Sequence, residues 1–253
     1  MSTLTKAFSY SVGKKLIMGL TGFFLITFLI EHVIGNFLMF GGPEPFNAYA
    51  EFMGHTWFIR IAEVILFLGF IIHIYDGLSI SLQNSKARPV GYAVKAGSKN
   101  SNWFSRNMKW TGTILLVFLI LHLVSFFMTA RFGLDIGMGI DMSMFPYDTI
   151  SYTSDGITEH SLWHKAAAQF SVEWYSAIYV LAMVVVAFHL LHGFQSAFQT
   201  LGIKHPKYAG MIEKAGLGFA ILAPAALASV PIYFVILKHS GELATFFIGS
   251  FGF

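Results

Sequence analysis

The sequence predicts an all-α, polytopic membrane protein, and three observations carry that expectation. Only 11% of the 253 residues are charged and 55% are hydrophobic, with a mean hydropathy of +0.64; a soluble domain carries about 25% charged residues. Five stretches are each long and apolar enough to cross a hydrocarbon core, which takes about 20 residues. The loops between those stretches alternate in charge. Lipid offers backbone groups no hydrogen-bond partner, so helices are the form such stretches take. The same composition excludes a disordered chain, an ordinary soluble globule and a basic nucleic-acid-binding domain.

The first stretch runs from Leu16 to Phe40 and is interrupted only by Glu31 and His32. The second runs from Trp57 to Leu82 and is uncharged from Val64 to Tyr75. The third, Trp110 to Ala130, and the fourth, Trp174 to Ile203, contain no Asp, Glu, Lys or Arg. The fifth, Ala215 to Leu237, is also uncharged and holds Pro224 and Pro231, where a kink is expected. With their flanking turns the spans cover about 15–40, 57–83, 108–132, 173–201 and 213–238, within one domain over 1–253. The first stretch is too long for a secretory h-region, and no small-residue cleavage site follows it, so it is expected to be retained.

Positive charge in short loops marks the cytoplasmic side of a membrane. Lys6, Lys14 and Lys15 precede the first span, and Lys86, Arg88, Lys95, Lys99, Arg106 and Lys109 lie around the loop between the second and third. Lys204, Lys207 and Lys214 follow the fourth. The intervening loops are different: Gly41 to Thr56 has no Lys or Arg, and the segment from Arg131 to Glu173 is acidic. The chain is therefore expected to have its N-terminus inside and its C-terminus outside, in a bacterial cytoplasmic membrane. Trp57, Trp110, Trp174 and Tyr175 fall near span ends and are read as interface anchors.

There is no cysteine, so this chain can hold neither a disulfide nor a cysteine-ligated iron–sulfur cluster, but it has ten histidines. Five of them, His32, His73, His122, His189 and His192, lie within the first four spans. A single membrane histidine is ordinarily a hydrogen-bonded core residue; one on each of four neighbouring helices is a different situation. At a rise of roughly 1.5 Å per residue, His32 lies about 12 Å and His122 about 15 Å below the outer face. His73 and His189 lie about 24 Å and 22 Å down on the same scale. The two depths differ by roughly 10 Å, too far apart for one ion with four ligands. Two sites fit better, each held by two histidines from two helices. Haem b suits such a site, because its iron has an axial position on each face of a flat ring.

An internal repeat supports the pairing. Met18-x-x-Thr21-Gly22 stands ahead of His32 as Met108-x-x-Thr111-Gly112 stands ahead of His122, with the same interval. His73-x-x-x-Gly77 with Gln83 matches His189-x-x-x-Gly193 with Gln199. The second match aligns His189 with His73 and sets His192 opposite Asp76, which makes His189 the expected ligand and His192 its rival one turn away. A glycine one turn from the ligand leaves room for a porphyrin edge, although close helix packing accounts for any single glycine.

With these residues in view, the chain resembles the cytochrome b membrane-anchor subunit of succinate dehydrogenase and fumarate reductase, in its single-chain form with five spans and two haems b. The likeness extends over most of the chain. It rests on Leu29-Ile30-Glu31-His32-x-x-x-Asn36, Glu44-x-Phe46-Asn47-x-x-x-Glu51-Phe52-Met53, His73 with Gly77, His122, and Phe188-His189-x-x-x-Gly193 with Gly202. The resemblance implies a four-helix bundle binding two haems b, with His32 and His122 on the outer haem iron and His73 and His189 on the inner one. It also implies a flavoprotein with covalent FAD and an iron–sulfur subunit on the cytoplasmic face. Succinate or fumarate chemistry would lie on that flavoprotein, and electrons would pass to or from a membrane quinone, menaquinone in this branch of the respiratory chain. The sequence leaves open the direction of the reaction and any higher oligomer of the heterotrimer. The acidic outer segment 132–173 is longer than the family pattern and is read only as a cap over the outer ends.

Propionate partners are sought among Lys14, Lys15, Arg106 and Lys109 for the inner haem, and among Asn36, Arg60, Arg131, His164 and Lys165 for the outer. Glu31, Glu63 and Asp76 are carboxylates in or near spans, where a charge needs a use or a partner; they do not by themselves locate a quinone. Two alternatives stand beside the resemblance: a haem b subunit of a membrane hydrogenase or formate dehydrogenase, and a transporter using its histidines. The odd number of spans and the lack of an inverted repeat argue against the transporter.

Overall fold

Runs of apolar residues this long settle into long helices in the structure, a computed structural model that describes residues 11–86, 103–132, 151–154, 157–203 and 205–249. Helix α1 (Ser11–Phe37) ends in a 3-10 turn at Leu38–Gly41, and α2 (Pro43–His55) follows. Gly42 makes the corner between them at φ 94°, a left-handed value that favours glycine, and Pro43 opens α2 where a missing N–H is harmless. Helix α3 spans Trp57–Lys86. Helix α4 (Trp103–His122) widens into a π-helical turn at Leu123–Phe127 and continues as α5 (Met128–Phe132). Strands β1 (Ser151–Ser154) and β2 (Ile157–His160) pair antiparallel, with Ser151 opposite His160. Helices α6 (Leu162–Phe170), α7 (Glu173–Thr200), α8 (Ala209–Ser240) and α9 (Leu243–Gly249) complete the chain.

Among the described residues, five helical segments are long and apolar enough to cross a membrane: Gly13–Gly41, Trp57–Lys86, Trp103–Phe132, Glu173–Thr200 and Ala209–Ser240. Their surfaces suit lipid. On α3, Ile61, Val64, Ile65, Leu68, Ile71, Ile72, Tyr75, Leu78 and Leu82 are exposed, while Gly69 and Asp76 are buried. On α4, Ile114, Val117 and Ile120 face out and Thr111 is buried. Pro224 and Pro231 both lie inside α8, which continues through them as a helix.

The chain divides into two units. The first takes Met1–Ile30, Ala62–Leu116 and Val185–Ala223. Its buried core is Ile26, Leu190, Phe194 and Ala220, with Phe198 and Phe219 packed against it. Phe194 stacks on Phe198 at 4.7 Å, and Gly216 of α8 lies so close that a Cβ there would stand 2.4 Å from the Phe194 ring.

The second unit takes Glu31–Ile61, Val117–Val184 and Pro224–Phe253. Short helices supply much of its core: Trp163, Ala166, Ala167 and Phe170 of α6 and Leu243 and Phe247 of α9 pack with Met39, Tyr175, Tyr179, Val230 and Phe234. Trp163 is fully buried; its indole Nε1 donates to Met39 O at 2.9 Å and its backbone N–H to Asn47 Oδ1 at 3.1 Å. Asn47 Nδ2 donates in turn to Ser161 Oγ at 2.7 Å, joining α2 to the start of α6.

Two readings change here. The acidic segment read only as a cap contains α6, whose small and aromatic side chains bury it in the core, while the short β1–β2 pair leaves the chain all-helical in class. Tyr175 is not an interface anchor: it is fully buried, and its hydroxyl donates to Ser125 Oγ at 2.7 Å. Trp57, Trp110 and Trp174 are exposed.

Candidate cofactor site: two histidine pairs

In the first unit, α3 and α7 bring His73 and His189 together, with ring centroids 6.3 Å apart and planes at 68°. Each ring rests against another helix. Thr21 Oγ1 of α1 lies 3.1 Å from His73 Nδ1, and Thr111 Oγ1 of α4 lies 3.4 Å from His189 Nδ1. The glycine after each threonine lets the ring approach: a Cβ on Gly22 would stand 3.5 Å from His73 Cε1, and one on Gly112 3.7 Å from His189 Cε1. The repeat read as a companion of His32 and His122 thus supports the other two histidines. That role was missed because a repeat shows which faces are alike and not which partner a face meets.

One helical turn beyond the histidines, and outside the glycines' own helix backbone, a built Cβ on Gly193 has no atom of the described residues within 4 Å, and one on Gly77 meets only the Met18 methyl among them, at 3.6 Å. His192 is half-buried on the next turn of α7, and the ring that faces His73 is that of His189. Asp76, one turn past His73, is buried, and its Oδ2 has no hydrogen-bond partner among the described residues. Lys14 Nζ donates to Ser79 Oγ at 2.9 Å in the same unit. Lys109 lies over the Trp110 ring at 5.6 Å, and Lys15 is exposed.

In the second unit, α1 and α4 bring His32 and His122 together, with centroids 5.7 Å apart and planes at 88°. Phe118 stacks on His122 at 5.9 Å, and Phe126 and Tyr179 close around the same ring. His122 Nδ1 is buried and has no hydrogen-bond partner among the described residues. The π turn begins right after His122, and Ser125 within it donates to Leu121 O at 2.8 Å. Such local widening is frequent at functional sites. Asn36 donates to the His32 carbonyl at 2.8 Å.

The remaining polar residues of this unit have varied uses. The Tyr49 hydroxyl donates to Glu31 Oε1, and burial together with that carboxylate raises the phenol above its ordinary range. Arg131 donates to Gly54 O at 3.2 Å, and Lys165 Nζ to Thr129 Oγ1 at 2.5 Å. His164 is buried between Ser161 Oγ, 2.6 Å from Nδ1, and Phe246 O, 3.4 Å from Nε2. Burial holds its imidazole below the ordinary histidine value, against the opposing pull of the Phe246 carbonyl. Arg60 of this unit, and Glu63 and Arg106 of the first, also have interactions within the protein.

The donor chemistry fits a metal centre held between two imidazoles. An ion about 2 Å from each ligating nitrogen, with each nitrogen about 1 Å from its ring centre, separates the two centroids by roughly 6 Å. Both pairs have that spacing, at 6.3 Å and 5.7 Å. The buried Nδ1 of His122 carries a desolvation cost that no hydrogen bond among the described residues offsets. Among the described residues no group of three or more His, Asp or Glu gathers in metal-binding geometry.

What the fold defines is a helical chain with five helices suited to spanning a membrane. Compared with protein-family models, with curated proteins and with solved structures, the chain matches none.

Proposed function

We propose that this chain is the di-haem cytochrome b anchor of a succinate:quinone oxidoreductase, relaying electrons between a partner iron–sulfur subunit and membrane menaquinone. The observation that carries the reading is the pairing of His73 with His189 and of His32 with His122, each across two helices at a spacing that suits one iron. His73 and His189 would hold the inner haem, with His192 as the rival for His189, and His32 and His122 would hold the outer. Held by these four histidines, haem b would supply single-electron transfer. The chain's own part is to supply neutral imidazoles, to fix their orientation, and to exclude water by setting them among apolar side chains such as Phe118 and Phe126. In this reading the basic loops face the cytoplasm and meet the flavoprotein and the iron–sulfur subunit. The absence of cysteine agrees with clusters carried by a partner.

The test is co-purification from membranes of the native host. The reading expects a flavoprotein with covalent FAD, an iron–sulfur protein and succinate- or fumarate-linked quinone activity. A nickel or molybdenum partner instead would move the chain to the hydrogenase or formate dehydrogenase reading. A colourless chain working alone would favour the transporter.

A further inference from the structure

We infer that Thr21 and Thr111 are positioning residues for the inner pair, each fixing the tautomer of a histidine on another helix so that Nε2 is the ligating nitrogen. This rests on the haem reading above. A threonine hydroxyl has one hydrogen to donate. Thr21 Oγ1 lies 2.8 Å from Ile17 O, one turn back on its own helix, and 3.1 Å from His73 Nδ1. The shorter contact takes the hydrogen, a common back-bond for a helical threonine, and leaves the oxygen lone pairs toward His73. Nδ1 is then the donor. A neutral imidazole that donates from Nδ1 keeps its lone pair on Nε2, which is the form that ligates a metal.

Thr111 repeats the arrangement. Its Oγ1 lies 3.1 Å from Met108 O and 3.4 Å from His189 Nδ1. The glycine that follows each threonine gives the ring its seat. Two hydrogen bonds, two glycines and one duplicated sequence motif therefore describe a single device built twice. The outer pair differs, because His122 Nδ1 has no partner among the described residues. The repeat gains a physical meaning from this. Each of α1 and α4 carries an outer ligand, His32 or His122, and eleven residues earlier the clamp for an inner ligand on a different helix.

The experiment uses the purified full chain and its Thr21→Val, Thr111→Val and Thr21→Ser variants, with Thr113→Val as a control at an exposed threonine of α4 that bonds only its own helix. Haem content and the midpoint potential of each haem are measured by spectroelectrochemical titration. The valine variants should bind the inner haem about 10–100-fold more weakly. Its potential should rise, since a ligand that no longer donates from Nδ1 is less electron-rich; a tenfold change in relative ferric affinity corresponds to about 59 mV. The outer haem should be unchanged, and Thr21→Ser and Thr113→Val should behave as wild type. Valine variants with unaltered haem content and potentials, or a shift confined to the outer haem, would overturn the inference while leaving the haem reading in place. A wild-type chain that binds no haem would remove the reading beneath it.

Discussion

Gly22 and Gly112 allow the inner pair to be tested by side-chain size alone. A methyl group at Gly22 would stand 3.5 Å from His73 Cε1 and 3.9 Å from Nδ1, which is ordinary contact. Gly22→Ala should therefore be accepted, and helix propensity favours it by about 1 kcal/mol. Valine behaves differently. Its two Cγ atoms reach about 1.5 Å beyond Cβ, and its nearly fixed χ1 in a helix leaves it little freedom to turn them away. One or both then fall inside the roughly 3.5–4.0 Å carbon contact distance of the imidazole. Overpacking of this kind costs about 1–3 kcal/mol when the neighbour yields, and the neighbour here is His73 itself. Gly112→Val acts on His189 from a starting distance of 3.7 Å. Gly218→Val is the matched control, because outside its own helix backbone no atom of the described residues lies within 4 Å of a built Cβ there. Reduced-minus-oxidised spectra and extracted haem should show both haems in Gly22→Ala and Gly218→Val, and selective loss of the inner haem in Gly22→Val and Gly112→Val. Full inner-haem occupancy in Gly22→Val would refute the placement of His73 against α1.

Three further predictions concern the second ligand, the short helices and pH. His189→Ala should lose the inner haem and His192→Ala should keep it, as read by difference spectra; the reverse result would transfer the ligand role to His192. Trp163→Ala should destabilise the second unit by about 3–5 kcal/mol through cavity formation, while the Met39 carbonyl loses its indole donor and keeps the Gly42 N–H. Thermal unfolding in detergent reads the total, and a change below about 1 kcal/mol would show that α6 is not an integral part of the core. His164 is held neutral by burial, so its folded value lies below its unfolded value of about 6.5. Its contribution is complete above that unfolded value and is lost as pH falls through the folded value, because the unfolded chain takes up the proton first. Hydrogen exchange over 162–170 should accelerate at acid pH in the wild type and less so in His164→Gln; equal acceleration in both would assign the effect to another group.

The long helices were legible because lipid imposes a simple rule, about 20 apolar residues per crossing, and five runs obey it. The rise per residue also set His73 beside His189 and His32 beside His122, and those rings stand edge-on to one another, 6.3 Å and 5.7 Å apart. What the sequence hid depends on sideways contacts. Helix α6 is only nine residues long and sits within a polar segment. Its burial follows from Trp163 meeting Met39 and Asn47, more than a hundred positions away in sequence. Tyr175 sits at a span end like an interface anchor, but its hydroxyl finds Ser125 and Tyr179 inside. The duplicated Met-x-x-Thr-Gly motif was visible, yet its partners were not, since a motif on one helix does not say which neighbouring helix it touches.

Haem stoichiometry tests the central claim most directly. Haem extracted from the purified 28.1 kDa chain and quantified against protein should give two haems b per chain. The His73→Ala chain should retain one of them, and so should the His32→Ala chain. A wild-type chain without haem, or one whose haem content is unaffected by both substitutions, would contradict the account.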